Sequence, residues 1–292
     1  MKKLIIKEFT RSSMSEKFAN INGIKISYEV KGKGEPLILV HGFGADKEVW
    51  IAQFEPLSEY FKVIRFDNRG AGKSDRPDEP YNMKMFADDI NGLMEHLGIE
   101  KAHVLGWSLG GMIVQTFALK YPEKLKKLIL INTLPKWPGD EKGLEMYKQS
   151  QIDKYHRKME DPKAAYFEGA KMGFDRKFRK EMEKNPEKVF YGLFSAEDLI
   201  EISATNPSTP QDIKNQAHAL GTYDVYDDLP NISTDTLILT AEKDRQTPRT
   251  MNEKIHEQIP NSKLIVIENA GHESPREKAP EVNQHIIDFL KD

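Results

Sequence analysis

The stretch HVLGWSLGGMIVQTFALKY, residues 103–121, sets a single serine among glycines at the junction of two apolar runs. The first run reads as a short strand buried on both faces, and the second as a buried helix. A G-x-S-x-G turn between a strand and a helix forces its serine into a strained backbone conformation that only small neighbours permit. The hydroxyl of Ser108 is thereby pushed out at the carboxyl end of the strand, where the next helix aims its unpaired N–H groups and positive dipole end. The competing reading makes Ser108 an ordinary helix cap.

The rest of the chain supplies the frame that such a turn requires. FANINGIKISYEV reads as two strands around Asn22-Gly23, a pair suited to a type I′ hairpin. PLILVH (36–41) and KVIRFD (62–67) follow as strands, and Asn82 caps a helix whose Met83, Phe86, Ile90, Leu93 and Leu97 recur at spacings of three and four before Gly98. HVLGW, the helix from Ser108 to Tyr121 and the strand KLILIN (127–132) continue the alternation. Strands return in DTLILTA (235–241) and SKLIVIE (262–268), and Pro280 opens a last helix with Val282, Ile286 and Phe289 on one face. The expected fold class is α/β, a mostly parallel sheet with helices on both faces. Residues 134–230 differ, being rich in Lys, Glu, Met and aromatics at helical spacing without a convincing strand. They read as a helical lid inserted into a discontinuous core of residues 1–133 and 231–292.

Composition narrows the chemistry. With 43 Lys and Arg against 46 Asp and Glu, the net charge of -3 offers no electrostatic footprint for nucleic acid or an anionic membrane, so a small-molecule substrate is expected. The absence of cysteine excludes a disulfide framework, a thiolate nucleophile and a thiolate metal site. No stretch approaches the roughly 20 apolar residues of a membrane span, and the lysines and short apolar patch at the start are too brief for a signal peptide. A cytoplasmic protein with a frayed leader of about a dozen residues is the expectation.

A serine nucleophile needs a base and an acid that orients it, and in this architecture they follow in the order Ser, Asp or Glu, His, on loops after strand ends. LILTAEKDRQTP puts Asp244 just past one late strand, with Glu242 two residues away as an alternative; LIVIENAGHESP puts His272 just past the next. The seven other histidines read as structural. The oxyanion of an acyl-transfer intermediate calls for two backbone donors. Leu109 N–H, directly after the serine, is one, and Phe43 N–H in the HGFG loop (41–44) is the other.

With NGIKISYEVKGKGEPLILVHGFG, DNRGAGKSD, GWSLGGMIVQ, the Asp244 loop and NAGHESP in hand, the chain resembles the α/β-hydrolase family, in particular small carboxylesterases, 3-oxoadipate enol-lactonases and cofactor-free perhydrolases. The resemblance implies the α/β-hydrolase fold, with Ser108 as nucleophile, His272 as general base, Asp244 as its acid, and Phe43 and Leu109 as the oxyanion hole. It implies no metal and no organic cofactor. Serine at 108 weighs against the dehalogenases and epoxide hydrolases of the family, which carry aspartate there, and GWSLGG departs from the elbow of proline iminopeptidases. GAGKS (70–74) imitates the tail of a P-loop, but Asp67 stands where that motif needs glycine, and Pro77 and Pro80 preclude a long helix from Ser74.

The expected activity is hydrolysis of carboxylic esters with short to medium acyl chains. The same residues would serve a lactonase or a perhydrolase, and a hydrolase-like small-molecule receptor is the reading from another class. Lid aromatics and methionines such as Trp137, Tyr147, Tyr166 and Met172 are expected mainly to form the lid's own core, with some lining a pocket. Chain-length preference and oligomeric state are left open.

Overall fold

Apolar runs too short for helices become eight strands of one sheet in the computed structural model, which describes residues 16–292. They are β1 (Lys17–Ile21), β2 (Ile24–Lys31), β3 (Pro36–Val40), β4 (Lys62–Phe66), β5 (Ala102–Trp107), β6 (Leu125–Ile131), β7 (Thr236–Ala241) and β8 (Ser262–Ile267), in the order β1-β2-β4-β3-β5-β6-β7-β8. β1 and β2 pair antiparallel around Asn22 and Gly23, whose φ of 50° and 82° suit the type I′ turn, and β2 lies antiparallel to β4. Every other pairing is parallel. The proposed leader of about a dozen residues lies outside the described residues.

Helices α1 (Phe54–Ser58), α2 (Met83–His96) and α3 (Leu109–Lys120) alternate with the early strands, and α4 (Glu141–Glu160), α5 (Pro162–Gly173), α6 (Arg176–Lys184), α7 (Ala196–Thr205) and α8 (Pro210–Gly221) fall between β6 and β7. α9 (Arg249–Gln258), α10 (Ser274–Glu277) and α11 (Ala279–Lys291) complete the chain. No strand falls between β6 and β7 among the described residues; two isolated bridges, Lys136 with Asp224 and Phe190 with Phe194, are the only β pairing there. No helix among them is long and apolar enough to cross a membrane.

The period of two along each strand sorts side chains into two cores. Ile38, Val40, Leu128, Leu130 and Ile238 pack with the α2 and α3 side, including Phe86, Ile90 and Phe117. Leu37, Leu39, Ile129, Ile131 and Leu239 pack against the opposite layer, with Leu57 of α1 and Val282 and Ile286 of α11. At about 25 cal/mol per Å² of apolar surface, this double-sided burial is what stabilises a sheet of continuous apolar strands. Helices α5 to α7 contribute to a third cluster around Phe174, Met182, Phe190 and Phe194.

Because β3 and β5 to β8 are parallel, their carboxyl ends share one edge of the sheet. Connections leave β3 toward β4 on one side and reach β5 on the other, and a crevice opens outside the strand ends at such a reversal. The loops after β3, β5, β7 and β8 all open there.

The P-loop imitation resolves as a turn wrapped around a carboxylate. Asp67 accepts from the backbone N–H of Lys47 and Lys73 and from Lys47 Nζ, at 2.7, 3.0 and 3.0 Å. A Cβ on Gly72 would lie 2.3 Å from the Asp67 carboxyl carbon, so only glycine fits there. Arg69 makes a two-pronged ion pair with Asp89 of α2, at 2.7 and 2.8 Å, and after Ser74 no helix begins until Met83.

Candidate active site

Ser108 closes β5 with φ 58° and ψ -121°, outside the helix that follows, and its side chain makes no capping bond. The capping reading therefore fails. α3 starts one residue later than the sequence reading placed it, because the turn consumes Ser108. The glycines around it are required by close packing. A Cβ on Gly106 would meet Gly110 O at 2.2 Å, one on Gly110 would meet Val40 O at 2.0 Å, and one on Gly111 would meet Thr133 Cβ at 2.4 Å. α3 thus presses against the ends of β3 and β6, and its first turn faces the crevice.

The loop after β3 passes just as close: a Cβ on Gly42 would sit 3.1 Å from Ser108 Cβ. Among the described residues, no acceptor meets the backbone N–H of Phe43 or of Leu109. Unpaired donors beside a nucleophile are what an oxyanion requires. Two side chains hold this loop. His41 Nδ1 donates to Gly42 O at 2.9 Å while its Nε2 accepts from Asn68 N at 3.0 Å, a pattern that needs the neutral ring. Burial lowers the His41 pKa, against the opposing pull of Asp67. Gln216 of α8 accepts from Gly44 N at 3.0 Å and donates to Gly70 O at 3.2 Å.

Asp244 follows β7 and His272 follows β8, and His272 Nδ1 donates to Asp244 Oδ2 at 2.8 Å. Both side chains are buried. Asp244 accepts three more bonds, from Gln246 N at 2.7 Å, Thr247 N at 2.9 Å and Thr247 Oγ1 at 2.6 Å. Burial would push the Asp244 carboxyl up, but the imidazole and the Thr247 donors outweigh it and hold it below the usual carboxylate range. Burial would likewise pull His272 down, and the Asp244 charge outweighs that too, leaving the imidazole above its ordinary value. Glu242, the sequence alternative, instead accepts from Asn269 N at 2.8 Å.

Ser108, Phe43 and His272 line one cavity of about 210 Å³, and Ser108, Phe43 and Leu109 line a second of about 490 Å³. All five residues anticipated from sequence thus border this crevice except Asp244, which lies behind His272. Of the anticipated aromatics and methionines, Tyr147 and Tyr166 line the first cavity, and Trp137, Tyr147 and Met172 the second. Phe178, Phe190, Phe194 and Met182 are core, and Met146 and Met159 are exposed. Five of the seven other histidines hold structural bonds: His41 in the loop above, His96 with Tyr28, His103 with Glu35, His218 with Tyr81 O and His256 with Ser262.

The sequence reading missed Asn132, Trp107 as an anchor, and Glu277. Trp107 Nε1 and Asn132 Nδ2 both donate to His272 O, at 3.1 and 2.8 Å. Glu277 accepts from Gly271 N at 2.9 Å and from Asp175 N at 3.1 Å, and burial pushes its carboxyl up to about 7. A polar residue at the end of an apolar strand was the only local signal for Asn132.

Comparison with known proteins agrees with this geometry. The model of the alpha/beta hydrolase fold family matches residues 35–279. The chain is 29% identical over 296 residues, 96% of its own length and 95% of the relative's, to 2-hydroxy-6-oxo-6-phenylhexa-2,4-dienoate hydrolase of Comamonas testosteroni. It superposes on a thermophilic esterase from Thermogutta terrifontis with a TM-score of 0.79 at 28% identity, covering 94% of this chain and 98% of that one. The enol-lactonase of Burkholderia xenovorans superposes with a TM-score of 0.80 at 21% identity, over 94% of this chain and all of that one, a similarity of fold alone. The strained serine at the β5 end, the parallel sheet behind it and a family match running from before β3 into α11 agree, and the chain is a hydrolase belonging to the α/β-hydrolase family.

Proposed function

We propose that the protein is a serine carboxylesterase that cleaves esters of short to medium acyl chains through an acyl-enzyme on Ser108. His272 Nε2 takes the proton from Ser108 Oγ as it attacks the ester carbonyl, and Asp244 holds the Nδ1 proton and stabilises the imidazolium. The backbone N–H groups of Phe43 and Leu109 receive the oxyanion. The imidazolium then protonates the leaving alcohol, and a water deprotonated by His272 releases the acid. In this reading residues 134–230 are a helical cap on a core formed by residues 1–133 and 231–292, and the cap selects the substrate.

The observation that carries the proposal is the buried Asp244–His272 pair, 2.8 Å between Oδ2 and Nδ1, beside a serine that is strained and not used as a cap. The adjoining cavities support substrates of modest size. The test is steady-state hydrolysis of p-nitrophenyl esters from acetate to palmitate beside Ser108→Ala. Multiple turnovers that vanish in the variant are expected, with the best chain short or medium. A single burst would favour a receptor, and undiminished turnover in Ser108→Ala would refute the role of Ser108.

A further inference from the structure

Two lysines of α4 face the crevice without a carboxylate to pair with. Lys154 lines both cavities and Lys158 lines the smaller one. Among the described residues neither has an acidic partner within ion-pair distance, whereas many surface lysines of this chain do. Lys154 is seated by a glycine: a Cβ on Gly169 would lie 3.2 Å from its Cε and 3.3 Å from its Nζ, so the bare backbone of α5 makes room for the ammonium. The acids of the smaller cavity are otherwise engaged. Glu273 pairs with Arg276 at 2.6 Å; Asp46 accepts from Glu48 N at 3.0 Å, its carboxyl is pushed up to about 7 by burial, and its charge reaches Lys158 without an ion pair. The buried Tyr166 hydroxyl, on the same wall, meets no acceptor among the described residues.

Both lysines are half-buried, and a partly desolvated ammonium without a counter-ion favours a visitor of opposite charge. Burial pulls the Lys154 pKa down, outweighing the Glu273 charge, and brings that of Lys158 to about 8. A bound anion would oppose that downward shift in both. The larger cavity has an apolar wall of Met112, Leu134, Trp137 and Leu220, with Arg157, Glu168 and Arg245 elsewhere in its lining.

We infer that the substrate carries a carboxylate, received in the smaller cavity by Lys154 with help from Lys158 and the Tyr166 hydroxyl, while an apolar limb occupies the larger one. This names a substrate class for the esterase proposed above and rests on that reading for the position of the ester at Ser108. Lys154 is then a specificity residue, since it meets the remote end of the substrate and not the bond that breaks.

The test uses two ester pairs of equal carbon number, monomethyl adipate against methyl hexanoate and butyryloxyacetate against ethyl butyrate, which place the carboxylate on the acyl or the alcohol limb. Binding is measured by calorimetry on the full chain carrying Ser108→Ala, with and without Lys154→Met, and turnover separately on the wild type by acid release. At least one carboxylate ester should bind about tenfold or more tighter than its neutral partner. That preference should shrink to less than about threefold with Lys154→Met and return with Lys154→Arg. No preference in either pair, or one that survives Lys154→Met, would overturn the inference even if all four esters turn over. Preference lost on Lys154→Met but no turnover in the wild type would leave the inference standing and sink the esterase reading. Should Lys154→Met not fold, high salt applied to the Ser108→Ala chain must erode the preference, and a salt-independent preference would count against a charge interaction.

Discussion

Asn132 donates from Nδ2 to the carbonyl of His272 at 2.8 Å, so the end of β6 holds the loop that carries the candidate base. The same amide donates to Ser274 Oγ at 2.9 Å and accepts from Ala241 N at 2.8 Å, tying three strand ends together.

Asn132→Ala should therefore strike stability and rate together. The Ala241 N–H would lose its acceptor inside the protein, and alanine would inherit a φ of 45° that asparagine tolerates better. A loss of about 2–4 kcal/mol by urea unfolding is expected, with kcat falling more than KM rises. A variant with the wild-type unfolding midpoint would show that the network is not cooperative.

The choice between the two acids of the β7 loop gives a second prediction. Asp244→Asn keeps the shape but removes the charge facing His272, and ester turnover should fall by about 10²–10⁴-fold. Glu242→Gln touches only the bond to Asn269 N and should stay within about threefold of the wild type. Equal losses in both variants would mean that the Asp244–His272 bond is not the one that matters.

The pH dependence follows from the raised His272 pKa. In the proposed mechanism the base works only as the neutral imidazole, so kcat/KM should fall about tenfold per unit on the acid side. The midpoint should lie above the ordinary imidazole value of about 6.5. Asp244→Asn removes the charge that raises it and should move the midpoint down. Glu277, pushed up to about 7 and bonded to Gly271 N, titrates nearby. Glu277→Gln separates the two: a midpoint that moves with Glu277→Gln and not with Asp244→Asn would assign the profile to the wrong group.

Two glycines give a contrast in stability. Gly110→Ala drives a Cβ to 2.0 Å from Val40 O, a backbone atom that cannot rotate away, and should cost about 3 kcal/mol or more. Gly98→Ala, past the end of α2 at φ 64° with open space around it, should cost only about 1 kcal/mol of backbone strain. Thermal unfolding of the pair reads the difference, and comparable losses would contradict the close approach of α3 to β3.

The local elements were legible because their causes are local. The Asn22-Gly23 hairpin, the cap of Asn82 on Met85 N at 3.1 Å, the strand runs and the Ser108 turn each follow from the conformations available to a few consecutive residues. The order Ser108, Asp244, His272 was also readable, since parallel strands deliver their following loops to one edge. Glu242 and Asp244 could not be separated this way, because they sit two residues apart on one turn and only the path of the β8 loop determines which meets His272.

What the sequence determined by itself was the alternation of apolar strand and amphipathic helix, the strained serine between its glycines, and thereby the fold and the edge of the sheet where a site opens. Only the tertiary structure decided that Asn132 and Trp107 converge on one carbonyl, that Gln216 grips the Gly44 loop across 172 positions of chain, and that Lys154 looks into the crevice while several other lysines find acidic partners. The physical reason is range. Periodicity and turn preference act over a few residues and leave their mark in any short window. Contacts between distant segments are set by how whole layers pack, and no window of the chain contains that information.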